Sequence, residues 1–233
     1  RIVFLGDWFD AFGPVSLHRV GQVCGFLNGN IDGVRHFPGG FDDDTDVEIP
    51  VTFLLGNHDC HYFFRHNGFK CSGYDPRKQE VIDANLPDGI REKFQISTRV
   101  GPYLVSHAGY THGTLQYCKP KVEAEALKTA FAGGFDPLFG AGYARGGRQR
   151  VGGPTWLDWK AEFEHIDDCP QIVGHTQGPH VRSKGMTTSE SRVEPNGDVS
   201  VDIGLMSYCL DTSLHHVAWV DETTGAVTIE QCC

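Results

Sequence analysis

Three residues that can bind a metal or transfer a proton follow one short apolar run. They are Asn57, His58 and Asp59, and they come directly after residues 51–55 and Gly56. A short apolar run that ends at a glycine predicts a buried strand followed by a tight turn. Because open α/β sheets bind ligands at the carboxyl ends of their strands, we expect a functional site here.

Three other apolar runs end in the same way, each close to a residue that can bind a metal. Asp7 follows residues 2–5, His107 follows residues 103–106, and His175 follows residues 171–173. Together with Asn57, these strand ends offer one carboxylate, one amide oxygen and two imidazoles. Such a mixed set of oxygen and nitrogen ligands suits Mn, Fe or Zn.

The four segments resemble the motifs of the calcineurin-like metallophosphoesterases and follow that family's order. They are residues 6–10, 56–59, 106–109 and 174–176, so the resemblance spans most of the chain. It implies an α/β fold, a four-layer α/β/β/α sandwich of two mixed sheets, with residues 1–233 forming a single domain. Residues 209–214 resemble the late Asp-Thr segment of the phosphoprotein phosphatase branch.

The resemblance implies two divalent metal ions, Mn or alternatively Fe or Zn. It assigns Asp7 as the carboxylate that bridges the two ions, with Asn57, His107 and His175 completing the shell of the second. The implied activity is hydrolysis of phosphomonoesters by metal-activated water, with phosphoserine and phosphothreonine as candidate substrates. The implied partner is therefore a phosphorylated substrate.

The resemblance also assigns an acid to the reaction. His58 would protonate the leaving oxygen, and Asp10 would hold its imidazole, because a neighbouring carboxylate favours the charged form of a histidine. Asp10 as a turn residue and His58 as a third metal ligand remain alternatives. Asp59 is expected to orient its neighbours or to cap the following helix. The remaining histidines, His61 among them, are predicted to be surface or packing residues.

The sequence departs from the family pattern in two places. The family's first motif, Asp-x-His, lies upstream of the segment at Gly6, and Arg1 opens directly on a predicted core strand. We therefore expect an N-terminally truncated fragment that lacks the first strand, with one nearly complete metal site. Ala11 stands where the phosphatases carry a phosphate-binding arginine. Arg145 and Arg148, in a glycine-rich loop, are the candidates to bind phosphate instead.

The composition excludes several other classes of protein. The 233 residues are 39% hydrophobic and carry a net charge of −10, which argues against a groove that follows a nucleic-acid backbone. No apolar run approaches the length of a membrane span, and no leader is evident, so we expect a cytoplasmic protein. The eight cysteines include no Cys-x-x-Cys pair, which favours reduced thiols.

Periodicity predicts the remaining elements. Residues 15–27 and 122–132 are predicted to be helices, residues 94–106 a hairpin, and residues 28–50 a long surface excursion that includes Asp42, Asp43 and Asp44. The region after His175 predicts a closing antiparallel meander. Two alternatives to a phosphomonoesterase remain open, namely a dinucleoside-tetraphosphate hydrolase and a non-catalytic metal-binding module that keeps the fold.

Overall fold

The computed structural model describes residues 1–10, 16–30, 34–37, 47–64, 66–185, 190–193, 199–202, 205–212 and 215–231, with the backbone alone at 34–37, 47–48, 190–193 and 199–202. The α-helices in these ranges are α1 (Leu17–Asn28), α2 (Asn57–Phe63), α3 (Pro76–Asn85), α4 (Asp88–Arg91) and α5 (Pro120–Phe131). The strands in the same ranges are β1 (Ile2–Phe4), β2 (Val34–Phe37), β3 (Val47–Phe53), β4 (Ser97–Val100), β5 (Tyr103–Ser106), β6 (Gln171–Val173), β7 (Arg182–Lys184), β8 (Glu190–Val193), β9 (Val199–Asp202), β10 (Ser207–Cys209), β11 (His216–Val220) and β12 (Val227–Gln231).

The first sheet has the strand order β1-β3-β2. β3 runs parallel to β1, with Phe53 opposite Phe4, and antiparallel to β2. Successive side chains of a strand point to opposite faces of the sheet. Phe53 accordingly packs in the same core as α1 and α3, whereas Leu54 packs in a core shared with the second sheet. The prediction of a buried strand that leads into Gly56 is confirmed.

The second sheet has the strand order β4-β5-β6-β10-β7. β5, β6 and β10 run parallel to one another, and β4 and β7 pair antiparallel at the two edges. Every residue of β5 and β6 is buried, as both faces of these strands are covered. Because β5 and β6 are parallel, the residues that follow them, His107 and His175, lie at the same edge of the sheet.

The two sheets meet through side chains and through the backbone. Leu54 of the first sheet shares a buried cluster with Val105 and Ile172 of the second. The amide of Leu55 donates to the carbonyl of Gln95 at 2.9 Å, which fixes the end of β3 beside the start of β4. The chain is therefore a mixed α/β protein, and the four-layer arrangement stays a prediction.

Two predictions about the strands are wrong. The predicted excursion contains β2 and the first half of β3, because polar and glycine residues between them concealed a hairpin; Asp42, Asp43 and Asp44 lie outside the described residues. The predicted meander is divided among three sheets. β10 inserts between β6 and β7, β9 pairs with β8, and β11 pairs with β12. Alternation identifies a strand but not its partner.

The two predicted helices, residues 15–27 and 122–132, correspond closely to α1 and α5. Ser16 caps α1 by accepting a hydrogen bond from the Arg19 amide, and Pro120 opens α5 at a position where its missing N–H costs nothing. α2 begins at Asn57, so Asn57, His58 and Asp59 occupy its first turn. Among the described residues, no helix combines the length and the apolar character needed to cross a membrane.

Gly6 and Gly56 allow β1 and β3 to approach closely where they end. A Cβ atom at Gly56 would lie 2.1 Å from Asp7 Oδ1 and 2.4 Å from the Asp7 amide. We expect Gly56→Ala to lower the free energy of unfolding by about 3 kcal/mol through overpacking. A matched control is Gly25→Ala in α1, where no atom lies within 4 Å of the new methyl group. Gly25→Ala should raise the free energy of unfolding by about 0.5–1 kcal/mol. Equal urea stabilities for the two variants would contradict the close approach.

Candidate metal and phosphate site

Four side chains converge where β1, β3, β5 and β6 end, and we call them the ligand cluster. They are Asp7, Asn57, His107 and His175. His107 Nε2 lies at their centre, 3.4 Å from Asp7 Oδ2, 3.3 Å from Asn57 Oδ1 and 3.2 Å from His175 Nδ1. The structure thus brings together the four residues that the sequence singled out, and their role as metal ligands stays a prediction.

The backbone is strained at two members of the ligand cluster. Asp7 has φ 62° and His175 has φ 63°, and within the described ranges no other non-glycine residue has a positive φ. This left-handed conformation is uncommon for residues with a side chain and costs on the order of 1–3 kcal/mol. The strain is located where both side chains turn toward the cluster, so the surrounding fold holds them there against their local preference.

Hydrogen bonding and charge set the protonation states in the ligand cluster. His107 Nδ1 donates to the Leu5 carbonyl at 2.5 Å, so Nε2 is the nitrogen that faces Asp7. Burial opposes a charge on His107, but the Asp7 carboxylate raises the pKa of His107 above its ordinary value. His107 in turn holds the pKa of Asp7 well below its usual range, despite burial. Burial and the His107 charge lower the pKa of His175, which is therefore neutral.

The ligand cluster fits a divalent cation. His175 Nε2 is buried and has no hydrogen-bond partner among the described residues, while Nδ1 of the same ring faces His107. Single donor atoms of Asp7, His107 and His175 all lie within 4.8 Å of one another. A positive charge shared by Asp7, His107 and His175, with the Asn57 oxygen 3.3 Å from His107 Nε2, would stabilise these closely placed donor atoms. Binding of a cation would displace the proton that His107 and Asp7 otherwise share.

Asp59 holds the turns that carry Asp7 and Asn57. Its Oδ2 accepts from the amides of Gly56 and Asp7 at 2.8 and 2.9 Å, and its Oδ1 accepts from the Trp8 amide at 2.8 Å. Burial and the charge of Asp7 raise the pKa of Asp59 to about 7, and the three amides act against that rise. The sequence predicts that Asp59 either orients its neighbours or caps the following helix, and these hydrogen bonds show that it does both.

We expect Asp59→Asn to destabilise the protein. The amide group of asparagine would turn an N–H donor toward one or two backbone N–H groups. These buried donors would then lack an acceptor, which should lower the free energy of unfolding by about 1–3 kcal/mol. Asp167→Asn is the matched control, since the side chain of Asp167 is 95% exposed. Urea denaturation measures both changes. Equal stability of the Asp59 and Asp167 variants would show that the three hydrogen bonds contribute nothing.

Asp10 and His58 pair beside the ligand cluster, as the sequence predicted. His58 Nδ1 lies 3.1 Å from Asp10 Oδ2, and the His58 side chain is 25% exposed. Burial would lower the pKa of His58, but the hydrogen bond to Asp10 and the charge of Asp7 raise it above the ordinary value. The Asp10 and Asp7 carboxylates thus favour the protonated form of His58, and its partly exposed side chain has a route to solvent or to a bound molecule. Its role as an acid stays a prediction.

Sequence reasoning missed most of the residues that surround Asp10. Lys78 Nζ and the Tyr62 hydroxyl both donate to Asp10 Oδ1. His61 Nε2 lies 2.9 Å from Asp10 Oδ2, and the residue is only 1% exposed. The prediction of His61 as a surface or packing residue is thus incomplete. The available signal was its spacing of three from His58, which places both rings on one side of a helix.

Arg145 approaches the ligand cluster from the glycine-rich loop. Its Nε lies 2.8 Å from Asp158 Oδ2, and its Nη2 donates to Thr176 Oγ1 at 2.8 Å. Thr176 is the residue that follows His175 in the chain. The positive charge of Arg145 contributes to the lowered pKa of His175. Arg148 is exposed in the same loop, and the described contacts of the ligand cluster do not include it. Sequence reasoning did not single out Asp158, which orients Arg145.

Comparisons with known proteins add little to this geometry. No protein-family model matches the chain, and no curated protein matches it significantly. Among solved structures, the chain is similar to a crystal structure of a cold-active protein-tyrosine phosphatase of a psychrophile, Shewanella sp., with 17% sequence identity and a TM-score of 0.47. The match covers 77% of this chain and 55% of that chain, so the match spans about half the length of the phosphatase.

Proposed function

We propose that this chain is a metal-dependent phosphoesterase of the calcineurin-like, phosphoprotein phosphatase type, with the four-layer sandwich of that family. The observation that carries the proposal is the convergence of Asp7, Asn57 and His175 on His107 Nε2. The proposed substrates are phosphomonoesters, including phosphoserine and phosphothreonine in proteins. The proposed cofactors are divalent ions, Mn or alternatively Fe or Zn, held in part by the ligand cluster.

Bound divalent cations would supply charge stabilisation for the phosphoryl oxygens and a water acidic enough to attack at neutral pH. The residues of the chain supply the remaining functions. His58 is proposed to give its proton to the leaving oxygen, and Asp10 orients the ring through the 3.1 Å contact at Nδ1. Asp59 keeps Asp7 at the site by accepting hydrogen bonds from the amides of Asp7 and Trp8.

Arg145 is proposed to bind a phosphoryl oxygen. Its contacts with Asp158 and Thr176 use Nε and Nη2 and fix the plane of the guanidinium group. The third nitrogen, Nη1, is the one proposed to meet the substrate, and a fixed guanidinium matches the geometry of phosphate. Arg148 is proposed to add a second positive charge from the exposed part of the loop.

The test uses the protein expressed from its whole coding sequence and freed of metal with a chelator. We expect Mn²⁺ to restore hydrolysis of a phosphoserine peptide and p-nitrophenyl phosphate. Preferential cleavage of diadenosine tetraphosphate would assign the dinucleotide hydrolase instead. Absence of hydrolysis with Mn²⁺, Fe²⁺ and Zn²⁺ would overturn the enzyme, and bound metal without hydrolysis would favour the non-catalytic module. Metal analysis of each preparation gives the number of ions per chain.

A further inference from the structure

A second group of metal-binding side chains lies beside the ligand cluster, where Cys71 Sγ is 3.9 Å from Asn57 Nδ2 of that cluster. One donor atom each from His58, His61 and Cys71 lies within 4.8 Å of the others. We propose that these three residues bind a zinc ion, at a site distinct from the ligand cluster. Two imidazoles and one thiolate are a set that zinc accepts in proteins, with its remaining position open to water or a fourth ligand.

The local fold prepares the three side chains for one ion. His58 and His61 are three residues apart on α2, and their ring centroids are 5.3 Å apart. Cys71 follows the buried Phe69 on a separate segment, which brings its Sγ to 3.0 Å from His61 Nδ1. Gly73, with φ 92°, turns the chain directly after this contact and leaves space for the carboxylate of Asp10.

Asp10 orients both imidazoles. Its Oδ2 lies 3.1 Å from His58 Nδ1 and 2.9 Å from His61 Nε2, so one nitrogen of each ring faces the carboxylate. In His61 the other nitrogen, Nδ1, faces Cys71 Sγ at 3.0 Å and is the one placed to bind an ion. A carboxylate behind a zinc-bound histidine is a recurring arrangement, because it fixes the ring and strengthens the nitrogen as a ligand.

The chemistry of these side chains differs from that of the ligand cluster. His61 is buried edge-on against the rings of Tyr62 and Tyr74, with centroid distances of 4.2 and 5.5 Å. Burial raises the pKa of the Cys71 thiol to about 12, so the thiol is protonated without a metal. Binding therefore forms a Zn–S bond, breaks the S–H bond and releases one proton to solvent. Sulfur favours zinc here, whereas the ligand cluster contains no sulfur.

Occupation of this site would affect the proposed reaction, and this consequence rests on the proposed function. A zinc ion bound to a ring nitrogen of His58 occupies the lone pair that would otherwise hold a proton. His58 could then no longer give a proton to the leaving group. Excess Zn²⁺ is therefore expected to inhibit the Mn²⁺-loaded protein, and Cys71→Ser is expected to remove most of this inhibition. The binding site itself can be tested without any measurement of activity.

The test titrates the metal-free protein with Co²⁺, a spectroscopic substitute for zinc. A cobalt ion bound to a thiolate gives a sulfur-to-cobalt charge-transfer absorption in the near ultraviolet, which ligands of oxygen and nitrogen do not give. We expect this absorption in the native protein and its loss in Cys71→Ser. Asp10→Asn should keep the absorption but weaken Co²⁺ binding by roughly 10–100-fold, as expected for an orienting carboxylate.

Two controls separate this site from the rest of the molecule. Cys118→Ser changes another half-buried thiol, one that contacts Ser97, and should leave the absorption unchanged. His107→Gln disrupts the ligand cluster and should also leave it unchanged, so the two sites can fail independently. Thermal unfolding of Cys71→Ser verifies that the variant is folded. Absence of the absorption in the native protein, or its persistence in Cys71→Ser, would overturn the proposal.

Discussion

Asp7→Asn is expected to abolish the response of the protein to divalent metal. An asparagine in place of Asp7 removes the only negative charge of the ligand cluster and one strong oxygen ligand. We expect kcat/KM to fall on the order of 10³-fold, at the upper end of what loss of one preorganised electrostatic group costs. Asparagine is the sharpest replacement because, like aspartate, it tolerates the left-handed backbone found at this position.

The same variant has a readout that does not depend on activity. A ligand present at 100 times its Kd stabilises the native state by about 2.7 kcal/mol. For a domain of this size that corresponds to a rise in Tm of roughly 5–11 °C. We expect Mn²⁺ to raise the Tm of the native protein by this amount and to leave the Tm of Asp7→Asn unchanged.

Asp167→Asn is the control for the loss of one carboxylate, because Asp167 is exposed and lies outside the ligand cluster. It should respond to Mn²⁺ like the native protein. The amide of His58 donates to Asp7 Oδ1 at 3.0 Å, and the carbonyl oxygen of an asparagine can accept the same bond. A variant that is as stable as the native protein without metal, yet still gains stability with Mn²⁺, would contradict the ligand role of Asp7.

The position of the ligand cluster could be predicted because each of its members follows a short apolar run. An apolar run that ends at glycine and then at a polar residue has few alternatives to a buried strand and a turn. Parallel pairing then places such residues at a common edge, as it does for His107 and His175. The strand pattern alone does not predict that Asp7 and Asn57 lie beside His107 and His175. The resemblance predicted this arrangement, and the packing of the two sheets produces it.

The surroundings of Asp10 could not be predicted, since they depend on tertiary packing. Lys78 lies on α3, far along the sequence from Asp10, and a lysine in a polar helix is ordinarily exposed. Cys71 follows a short 3₁₀ turn at Asn67–Phe69 that has no strong periodicity. The pairing of β10 with β6 escaped prediction for a similar reason, since any alternating strand could have filled the place between β6 and β7.

His58→Asn is expected to slow hydrolysis in a manner that depends on the leaving group. General acid catalysis contributes roughly 10²–10⁴-fold when the leaving oxygen is strongly basic, as in a serine phosphate. p-Nitrophenolate is a weak base and departs without a proton. We therefore expect kcat to fall by about 10²–10⁴-fold with a phosphoserine peptide and far less with p-nitrophenyl phosphate. Asp10→Asn should show the same pattern with a smaller loss.

This dependence separates the acid from the alternative in which His58 is a third metal ligand. Loss of a ligand would reduce the hydrolysis of both substrates together, because both need the metal equally. Loss of an acid leaves Mn²⁺ binding unchanged, so the rise in Tm with Mn²⁺ should persist in His58→Asn. His180→Asn, a change at an exposed histidine, should behave like the native protein with both substrates. If kcat falls equally with the two substrates and Mn²⁺ raises the Tm less than in the native protein, His58 is a metal ligand and not the proton donor.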